Sequence, residues 1–197
     1  STRPGHTPID ASTEQARILP VIKALEAEKS VRISIDTYKA STARAALKAG
    51  AHIINDVWGL QRDPDMANVA AETGAPVILM HNREADDDSI DILSDVMRFL
   101  ERSLKIARKA GVTEDKIMLD PGFGFGKNSR QNMIILQNLK LISSLGFPLL
   151  IGLSRKRFIG FYSGQTETNA RLPGTLTANL LAAISGHAAC IRVHDVR

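Results

Sequence analysis

Short apolar runs alternate along the chain with longer segments in which apolar residues recur every three or four positions. Six of the short runs are rich in Val, Ile and Leu, which is typical of buried strands. These runs are residues 31–36, 52–56, 76–81, 116–120, 147–154 and 190–195. The segments between them have helical spacing, and Ser12 with Gln15 forms a predicted capping box at the first of them. Six consecutive βα units predict a parallel sheet with helical crossovers.

Polar side chains stand where the predicted strands end. They are Asp36, Asn55, Asp56, His81, Asp120, Ser154, Arg155, Lys156, Arg192, His194 and Asp195. Helix N-caps would account for one or two of them, but not for Lys156, Arg192 and His194. The carboxyl ends of all strands form one active-site mouth in a (β/α)8 barrel, whereas an open doubly wound sheet binds ligands only at its switch point. We therefore expect an α/β fold of the TIM-barrel type.

Residues 1–197 are expected to form one partial domain with about six of the eight βα units of such a barrel. Two further strands are expected before Ser1 and a last helix after Arg197, because six strands do not close an ordinary barrel.

The composition is that of a folded globular domain, with 44% apolar and 23% charged residues. The Lys and Arg residues behind the net charge of +4 are scattered and aromatic residues are few, which argues against a nucleic-acid partner. No apolar run reaches membrane-spanning length and no signal peptide opens the sequence, so we expect a cytoplasmic protein without a membrane partner. Cys190 is the only cysteine, and its apolar neighbours predict a small core residue.

Three strand ends carry groups that suit a flat heterocycle. Asp36 and Asp120 are carboxylates that can accept two adjacent N–H groups, and Asn55 can both donate and accept. Such a trio matches the amino-pyrimidinone edge of a guanine-like or pterin-like ring. Either aspartate alone would be interpreted more simply as a helix cap.

Cations follow the last two predicted strands. Arg155, Lys156 and Arg157 are consecutive, and Arg192 and His194 would share one face of a strand because side chains alternate. Two such donors beside a lysine suit a phosphate or pyrophosphate, and phosphate sites near the last strands are common in barrels. The alternative is a solvated surface cluster.

The segment LDPGFGFGKN, residues 119–128, has a glycine at every second position. It matches neither the dinucleotide fingerprint nor the P-loop pattern. Phe123 and Phe125 alternate with the glycines, so we interpret the loop as bare backbone and an aromatic face against which a flat ring can lie. Thr2, Arg3 and Pro4 precede Gly5 in a second predicted loop, which could close over another substrate.

Seven motifs together resemble the dihydropteroate synthase family. In order they are STRPG, ISIDTYK, HIINDVWG, VILMHNR, LDPGFGFGK, IGLSRKRFIG and IRVHDV. The resemblance extends from the first residue to the last. It implies a (β/α)8 barrel and a transferase of folate biosynthesis. The implied reaction condenses 6-hydroxymethyl-7,8-dihydropterin pyrophosphate with p-aminobenzoate, by an SN1-like path, to 7,8-dihydropteroate and pyrophosphate.

The resemblance also implies roles for individual residues. Pterin binding is implied for Asp36, Asn55, Met80, Asp120, Gly152 and Lys156, of which Asp36, Asp120 and Lys156 are the expected catalytic residues. Pyrophosphate binding is implied for Arg192 and His194. Binding of p-aminobenzoate is implied for Thr2, Arg3, Pro4, Phe125, Lys156 and Arg157. Many family members have Ser at the position of Arg157, and others have Arg.

The family pattern further implies Mg²⁺ as cofactor, with its protein ligand on a strand that would precede Ser1 and therefore no metal ligand in this chain. We accordingly expect weak binding of Mg²⁺–pyrophosphate by the chain and a dependence of folding on the missing strands. Sulfonamides are the expected inhibitors, and the full-length protein is expected to be a homodimer.

Three other interpretations are open. A methyltetrahydrofolate–corrinoid methyltransferase domain has a similar pterin site but does not need the first loop or the cations. A non-catalytic pterin-binding paralogue would keep the pocket without turnover. A sugar-phosphate barrel enzyme would account for Arg192 and His194 but not for the Asp–Asn–Asp trio.

Overall fold

The structure is a computed structural model that describes residues 7, 9–28 and 31–196. Its internal contacts divide the chain into two compact units. The first unit comprises Ser1–Met80 and Arg102–Met118, and the second comprises His81–Glu101 and Leu119–Arg197.

Helices and strands alternate in the predicted order. The strands are β1 (Ser34–Asp36), β2 (Ile53–Asp56), β3 (Val77–Met80), β4 (Ile117–Asp120), β5 (Leu149–Ile151) and β6 (Ala188–Ile191). The helices are α1 (Ala11–Glu26), α2 (Ala40–Lys48), α3 (Met66–Thr73), α4 (Ile92–Ala110), α5 (Ser129–Gln137), α6 (Leu139–Ser143), α7 (Arg157–Ser163) and α8 (Leu172–Ile184). Short 3₁₀ turns occupy Glu114–Lys116 and Asn169–Arg171. The α/β class with six strands is confirmed.

Strands β1, β2 and β3 pair in parallel within the first unit. Their interiors are apolar, and Ile54, Val77 and Leu79 are fully buried. The register aligns Asp36 with Asn55 at the carboxyl ends of β1 and β2. This alignment brings two polar groups side by side where the strands end.

The second unit contains the end of β4 together with β5 and β6. Leu119 of β4 pairs with Leu149 of β5, and Ile151 of β5 pairs with Ile191 of β6. Both pairings are parallel. The sixth strand lies earlier than predicted and ends at Ile191, so the prediction that Arg192 and His194 stand on a strand is wrong. The backbone N–H of Arg192 still donates to the carbonyl of Ile151, after which the chain leaves the sheet.

Two local predictions are also wrong. The N-cap of α1 is Asp10, whose carboxylate accepts from the Thr13 N–H at 2.8 Å, and not Ser12 with Gln15. An aspartate two residues earlier competes for the same helix N–H groups, and its charge interacts more favourably with them. Cys190 is exposed rather than part of the core.

Candidate active site

The carboxyl ends of β1 and β2 carry a polar pair. The side-chain amide of Asn55 donates to Oδ1 of Asp36 at 2.5 Å. This leaves the carbonyl oxygen Oδ1 of Asn55, which is buried and has no hydrogen-bond partner among the described residues. Asp36 itself is exposed. The pair therefore offers an unsatisfied acceptor beside an accessible carboxylate, which together suit a ligand with adjacent N–H donors.

The next residue, Asp56, has a different function. Its carboxylate is buried and accepts from the backbone N–H groups of Trp58 at 2.9 Å and Leu60 at 2.7 Å. Burial raises its pKa to about 6, against the two hydrogen bonds, which lower it. Asp56 thus stabilises the turn after β2 and is not available to a ligand. Met80, at the end of β3, is buried with 3% of its surface exposed.

In the second unit, Asp120 begins the glycine loop, residues 120–127. Its side chain is nearly buried, and Oδ1 accepts from the Gly122 N–H at 2.7 Å. Gly122 and Gly126 both have positive φ. A Cβ added at Gly122 would lie 1.8 Å from the carbonyl oxygen of His81, and one at Gly126 would lie 2.5 Å from that of Arg83. These two glycines are therefore required by the protein's own backbone, a cause that the sequence interpretation did not include.

The two phenylalanines of the loop separate in function. Phe123 is buried with 1% exposure and stacks on Phe158 at a centroid distance of 6.1 Å, so it belongs to the core and not to a ligand face. Phe125 is half-buried, and Nζ of Lys156 lies 4.2 Å from its ring centroid. Phe125 and Lys156, which were both predicted to contact p-aminobenzoate, are thus neighbours. Their arrangement is a cation–π contact.

Lys127 is a buried residue that the sequence interpretation did not select. Its Nζ donates to the carbonyl oxygens of Gly122 at 2.7 Å and Phe125 at 2.9 Å. In the sequence, a lysine that directly follows three spaced glycines resembles a solvated loop residue. The local pattern gives no sign that it is buried, and only the three-dimensional contacts show this.

Arg192 and His194 approach each other although both lie beyond β6. Nη1 of Arg192 lies 2.8 Å from Nε2 of His194, and Nδ1 of His194 lies 3.0 Å from the Ser154 hydroxyl. The pKa of His194 is lowered by partial burial first and then by the positive charges of Arg192, Arg155 and Lys156. This part of the second unit therefore has an excess of positive charge that an anion would neutralise.

The other cations of the SRKR motif differ in availability. Arg155, which has a positive φ, forms a two-pronged ion pair with Asp195, with Nε to Oδ2 at 3.1 Å. That pair occupies its guanidinium. Arg157 is exposed at the first turn of α7. Gly152 follows β5, and a Cβ added there would meet nothing within 4 Å, so the residue borders open space. Thr2, Arg3 and Pro4 lie outside the described residues.

The chain is similar to known proteins over almost its whole length. The model of the family described as pterin binding enzyme matches residues 1–194. The chain belongs to the pterin-binding enzyme family. It is 46% identical over 197 residues to the dihydropteroate synthase of Bacillus subtilis, covering 100% of this chain and 68% of that protein.

Two solved structures resemble this member of the pterin-binding family closely. One is dihydropteroate synthase from Clostridium difficile in the presence of pteroic acid, with a TM-score of 0.94 and 44% identity over 100% of this chain and 74% of that one. The other is the Xanthomonas albilineans dihydropteroate synthase with 4-aminobenzoic acid, with a TM-score of 0.95 and 41% identity over 100% and 71%. The predicted TIM-barrel class and the resemblance to dihydropteroate synthase, a transferase, are confirmed.

Two further observations on this family member concern metal ions and membranes. Across residues 7, 9–28 and 31–196, no group of three or more His, Cys, Asp and Glu side chains could hold a metal ion. In the same part of the chain, no helix has both the length and the apolar character needed to cross a bilayer.

Proposed function

We propose that the chain catalyses the dihydropteroate synthase reaction, in which a 6-hydroxymethyl-dihydropterin pyrophosphate and p-aminobenzoate form 7,8-dihydropteroate and pyrophosphate. The observation that carries the proposal is the unsatisfied, buried Oδ1 of Asn55 beside the exposed carboxylate of Asp36. A pterin edge presents the adjacent N–H donors that this pair lacks. Membership of the pterin-binding family supports the same ligand class.

In the first unit, we assign Asp36 and Asn55 to the amino-pyrimidinone edge of the pterin, with Met80 lining its face. In the second unit, we assign Asp120 and Lys156 to pterin binding, with Gly152 at the open space that follows β5. Each charge-assisted hydrogen bond to the ring is worth roughly 1.5–3 kcal/mol, so the set can discriminate a pterin from a ring that lacks the N–H edge.

Arg192 and His194 are the proposed partners of the pyrophosphate. When the bond between the pterin methylene carbon and its oxygen breaks, the bonding electrons stay on that oxygen and negative charge grows on the pyrophosphate. Donors that are fixed before the reaction stabilise this charge without further rearrangement. The positive surroundings that lower the pKa of His194 in the free protein would be offset by the anion, so His194 would gain a proton when pyrophosphate binds.

The second half of the reaction forms the new bond. The lone pair of the p-aminobenzoate nitrogen attacks the methylene carbon, and the nitrogen then loses one proton to give the neutral secondary amine. The electron-rich dihydropterin stabilises the methylene cation, which favours an SN1-like path with Asp36, Asp120 and Lys156 as catalytic residues. Phe125 and Lys156, in contact at 4.2 Å, supply a ring face and a positive charge for p-aminobenzoate. Arg157, Thr2, Arg3 and Pro4 are assigned to the same substrate.

Mg²⁺ is proposed as the cofactor that accompanies the pyrophosphate. The described side chains do not form a protein metal site of their own. We further propose that sulfonamides compete with p-aminobenzoate, that the protein is cytoplasmic and that it forms a homodimer. Exposed apolar side chains on α8 support the dimer, because Leu176, Leu180 and Ile184 are each at least 60% exposed.

A product assay tests the proposal. The chain would be mixed with dihydropterin pyrophosphate, p-aminobenzoate and Mg²⁺, and dihydropteroate and pyrophosphate would be quantified separately. Equal amounts of the two products, absent without p-aminobenzoate, are expected, at a lower rate than with a full-length relative because the chain is expected to bind Mg²⁺–pyrophosphate weakly. Pterin binding without either product would overturn the enzymatic proposal in favour of a non-catalytic pterin-binding protein. A full-length relative assayed in parallel shows whether the conditions support the reaction.

A further inference from the structure

Lys127 is buried, with 8% of its surface exposed, which is rare for a lysine. Its ammonium group has three N–H donors. Three backbone carbonyl oxygens lie near it, those of Gly122 at 2.7 Å, Phe125 at 2.9 Å and His81 at 3.5 Å. The first two of these bonds are short and charge-assisted, which makes them stronger than bonds between neutral groups.

The carbonyls of Gly122 and Phe125 belong to the two ends of one turn. The Phe125 N–H donates to the carbonyl of Gly122 at 3.2 Å, so this turn closes on itself and Lys127 joins its two ends. The side chain of Asn132 on α5 accepts from the Gly124 N–H at 2.7 Å, and the Asp120 carboxylate accepts from the Gly122 N–H at 2.7 Å. Side chains therefore hold the turn through four hydrogen bonds, of which Lys127 donates two.

The peptide that Lys127 holds carries the aromatic ring assigned to p-aminobenzoate. The Phe125 ring is half-buried and lies against the ammonium of Lys156. A displaced Phe125 peptide would move this ring, because the flanking glycines have no side chains that could pack against neighbouring residues and fix the peptide. Without Lys127, the Phe125 carbonyl would lose this donor and the Gly122 carbonyl would keep only the Phe125 N–H at 3.2 Å. A polar group that loses its partner inside the protein is costly.

We propose that Lys127 is a positioning residue, which holds the carbonyls of Gly122 and Phe125 and thereby fixes the Phe125 ring for p-aminobenzoate. This inference rests on the proposed function. Lys127 does not touch either substrate in the proposal, and it is predicted to affect p-aminobenzoate binding through Phe125 alone.

The charge on Lys127 gives the device a dependence on pH. Burial lowers the pKa of Lys127 to about 7. Among its charged neighbours, Asp120 and Asp95 raise the pKa, and Lys156 and Arg83 lower it. His81 also faces the ammonium, and burial first and then the charge of Lys127 lower the pKa of that histidine to about 4. Loss of the proton removes one N–H donor and the charge, so the hold on the loop weakens as pH rises through 7.

The test compares Lys127→Met with Lys140→Met, the same replacement at an exposed lysine of the same unit. Amide hydrogen exchange of Phe125 reports the turn, and the Arg192 amide, bonded to the Ile151 carbonyl at 2.9 Å in the same unit, serves as an internal reference. Calorimetry gives the Kd of p-aminobenzoate and of 6-hydroxymethylpterin separately. In Lys127→Met we expect Phe125 exchange to accelerate about tenfold or more, with Arg192 exchange unchanged. The Kd of p-aminobenzoate should rise about tenfold and that of the pterin less than about twofold.

The outcomes separate the inference from the proposed function. The first case is a wild type that binds both ligands. In that case, either unchanged Phe125 exchange in Lys127→Met or an equal loss of affinity for the two ligands in this variant overturns the inference alone. Wild type that binds neither ligand contradicts the proposed function, and with it the ligand half of the inference. Faster Phe125 exchange in that case would support the holding role by itself.

A measurement on the wild type applies if Lys127→Met does not fold. The carbonyl carbon shifts of Gly122 and Phe125 would be followed from pH 6 to 9 together with the Kd of p-aminobenzoate. The inference predicts that both carbonyl shifts titrate with one pKa and that the Kd of p-aminobenzoate rises over the same interval. Carbonyl shifts that do not titrate, or a Kd that stays constant while they do, would overturn it.

Discussion

The strand-end pair of Asp36 and Asn55 and the glycine loop of residues 120–127 are both polar, but they use their polar groups differently. In the pair, one amide oxygen is buried with no hydrogen-bond partner in the part of the chain that the structure describes, and one carboxylate is exposed. In the loop, the groups are bonded internally, with Gly122 N–H to Asp120, Gly124 N–H to Asn132, and two carbonyls to Lys127. The pair has bonding capacity left for a ligand, whereas the loop uses its capacity to hold a shape.

The largest expected effect tests the rigidity of the loop. Gly126→Ala should lower the free energy of unfolding by about 3 kcal/mol or more, because it adds left-handed strain and a 2.5 Å approach to the Arg83 carbonyl. Gly146→Ala is the matched control, since Gly146 has a φ of +85° and nothing within 4 Å of an added Cβ. Strain alone should cost about 1–2 kcal/mol there. Urea unfolding measures both, and equal losses would contradict a close backbone packing of the loop.

The next effect isolates Asp56, the buried carboxylate beside the pair. Its folded-state pKa of about 6 lies above the ordinary value of 3.8, so the folded chain holds more protons between these values. Its contribution to stability is therefore present below pH 4 and lost as pH rises through 6. The free energy of unfolding of wild type minus that of Asp56→Asn should fall by up to about 3 kcal/mol from pH 4 to 7.

Urea unfolding of both proteins at four pH values measures this difference. Other carboxyls, such as Asp95 and Asp195, have a lowered pKa, but their contribution to stability is the same in both proteins and cancels in the difference. A difference that is constant with pH would mean that Asp56 titrates normally and that its burial has no cost.

A third prediction concerns the pair itself. Asp36→Asn should weaken binding of 6-hydroxymethylpterin by tenfold to hundredfold, about 1.4–2.8 kcal/mol, because a charge-assisted acceptor is lost. The thermal midpoint should change little, since Asp36 is exposed. Asp56→Asn provides the contrast at the adjacent strand, with pterin affinity retained. Calorimetry combined with thermal unfolding tests both variants, and equal affinity losses in the two would remove the distinction between binding and structural carboxylates.

The smallest effect concerns His194. Because its pKa is lowered in the free protein, it is neutral at pH 7, and an anion would return it toward protonation. The ratio of the pyrophosphate affinity of wild type to that of His194→Gln should therefore rise about threefold to tenfold as pH falls from 8 to 6, and the titration of pyrophosphate itself cancels in this ratio. Calorimetry in two buffers of different ionisation enthalpy measures proton uptake, which should be larger in wild type than in the variant. Equal uptake in the two proteins would assign the titration to another group.

Sequence patterns predicted the fold well because buried parallel strands are continuous apolar runs, which β2, β3 and β4 match almost residue for residue. They failed at β6, where the strand-like sequence CIRVHD continues past the last ladder pairing, so Arg192 and His194 were assigned to a strand. Strand-end position led to Asp36 and Asn55, but it could not show that the neighbouring Asp56 is buried, because hydrogen bonds from the following turn decide this. Lys127 was missed for a similar reason, since three-dimensional contacts alone show its burial.

The most direct measurement is a crystal structure of the protein with pteroic acid bound. The proposed function predicts that the amino-pyrimidinone edge of the pterin lies within hydrogen-bond distance of Oδ1 of Asn55 and of the Asp36 carboxylate. A pterin bound without contact to either side chain, and an Asn55 Oδ1 that stays unsatisfied in the complex, would contradict it.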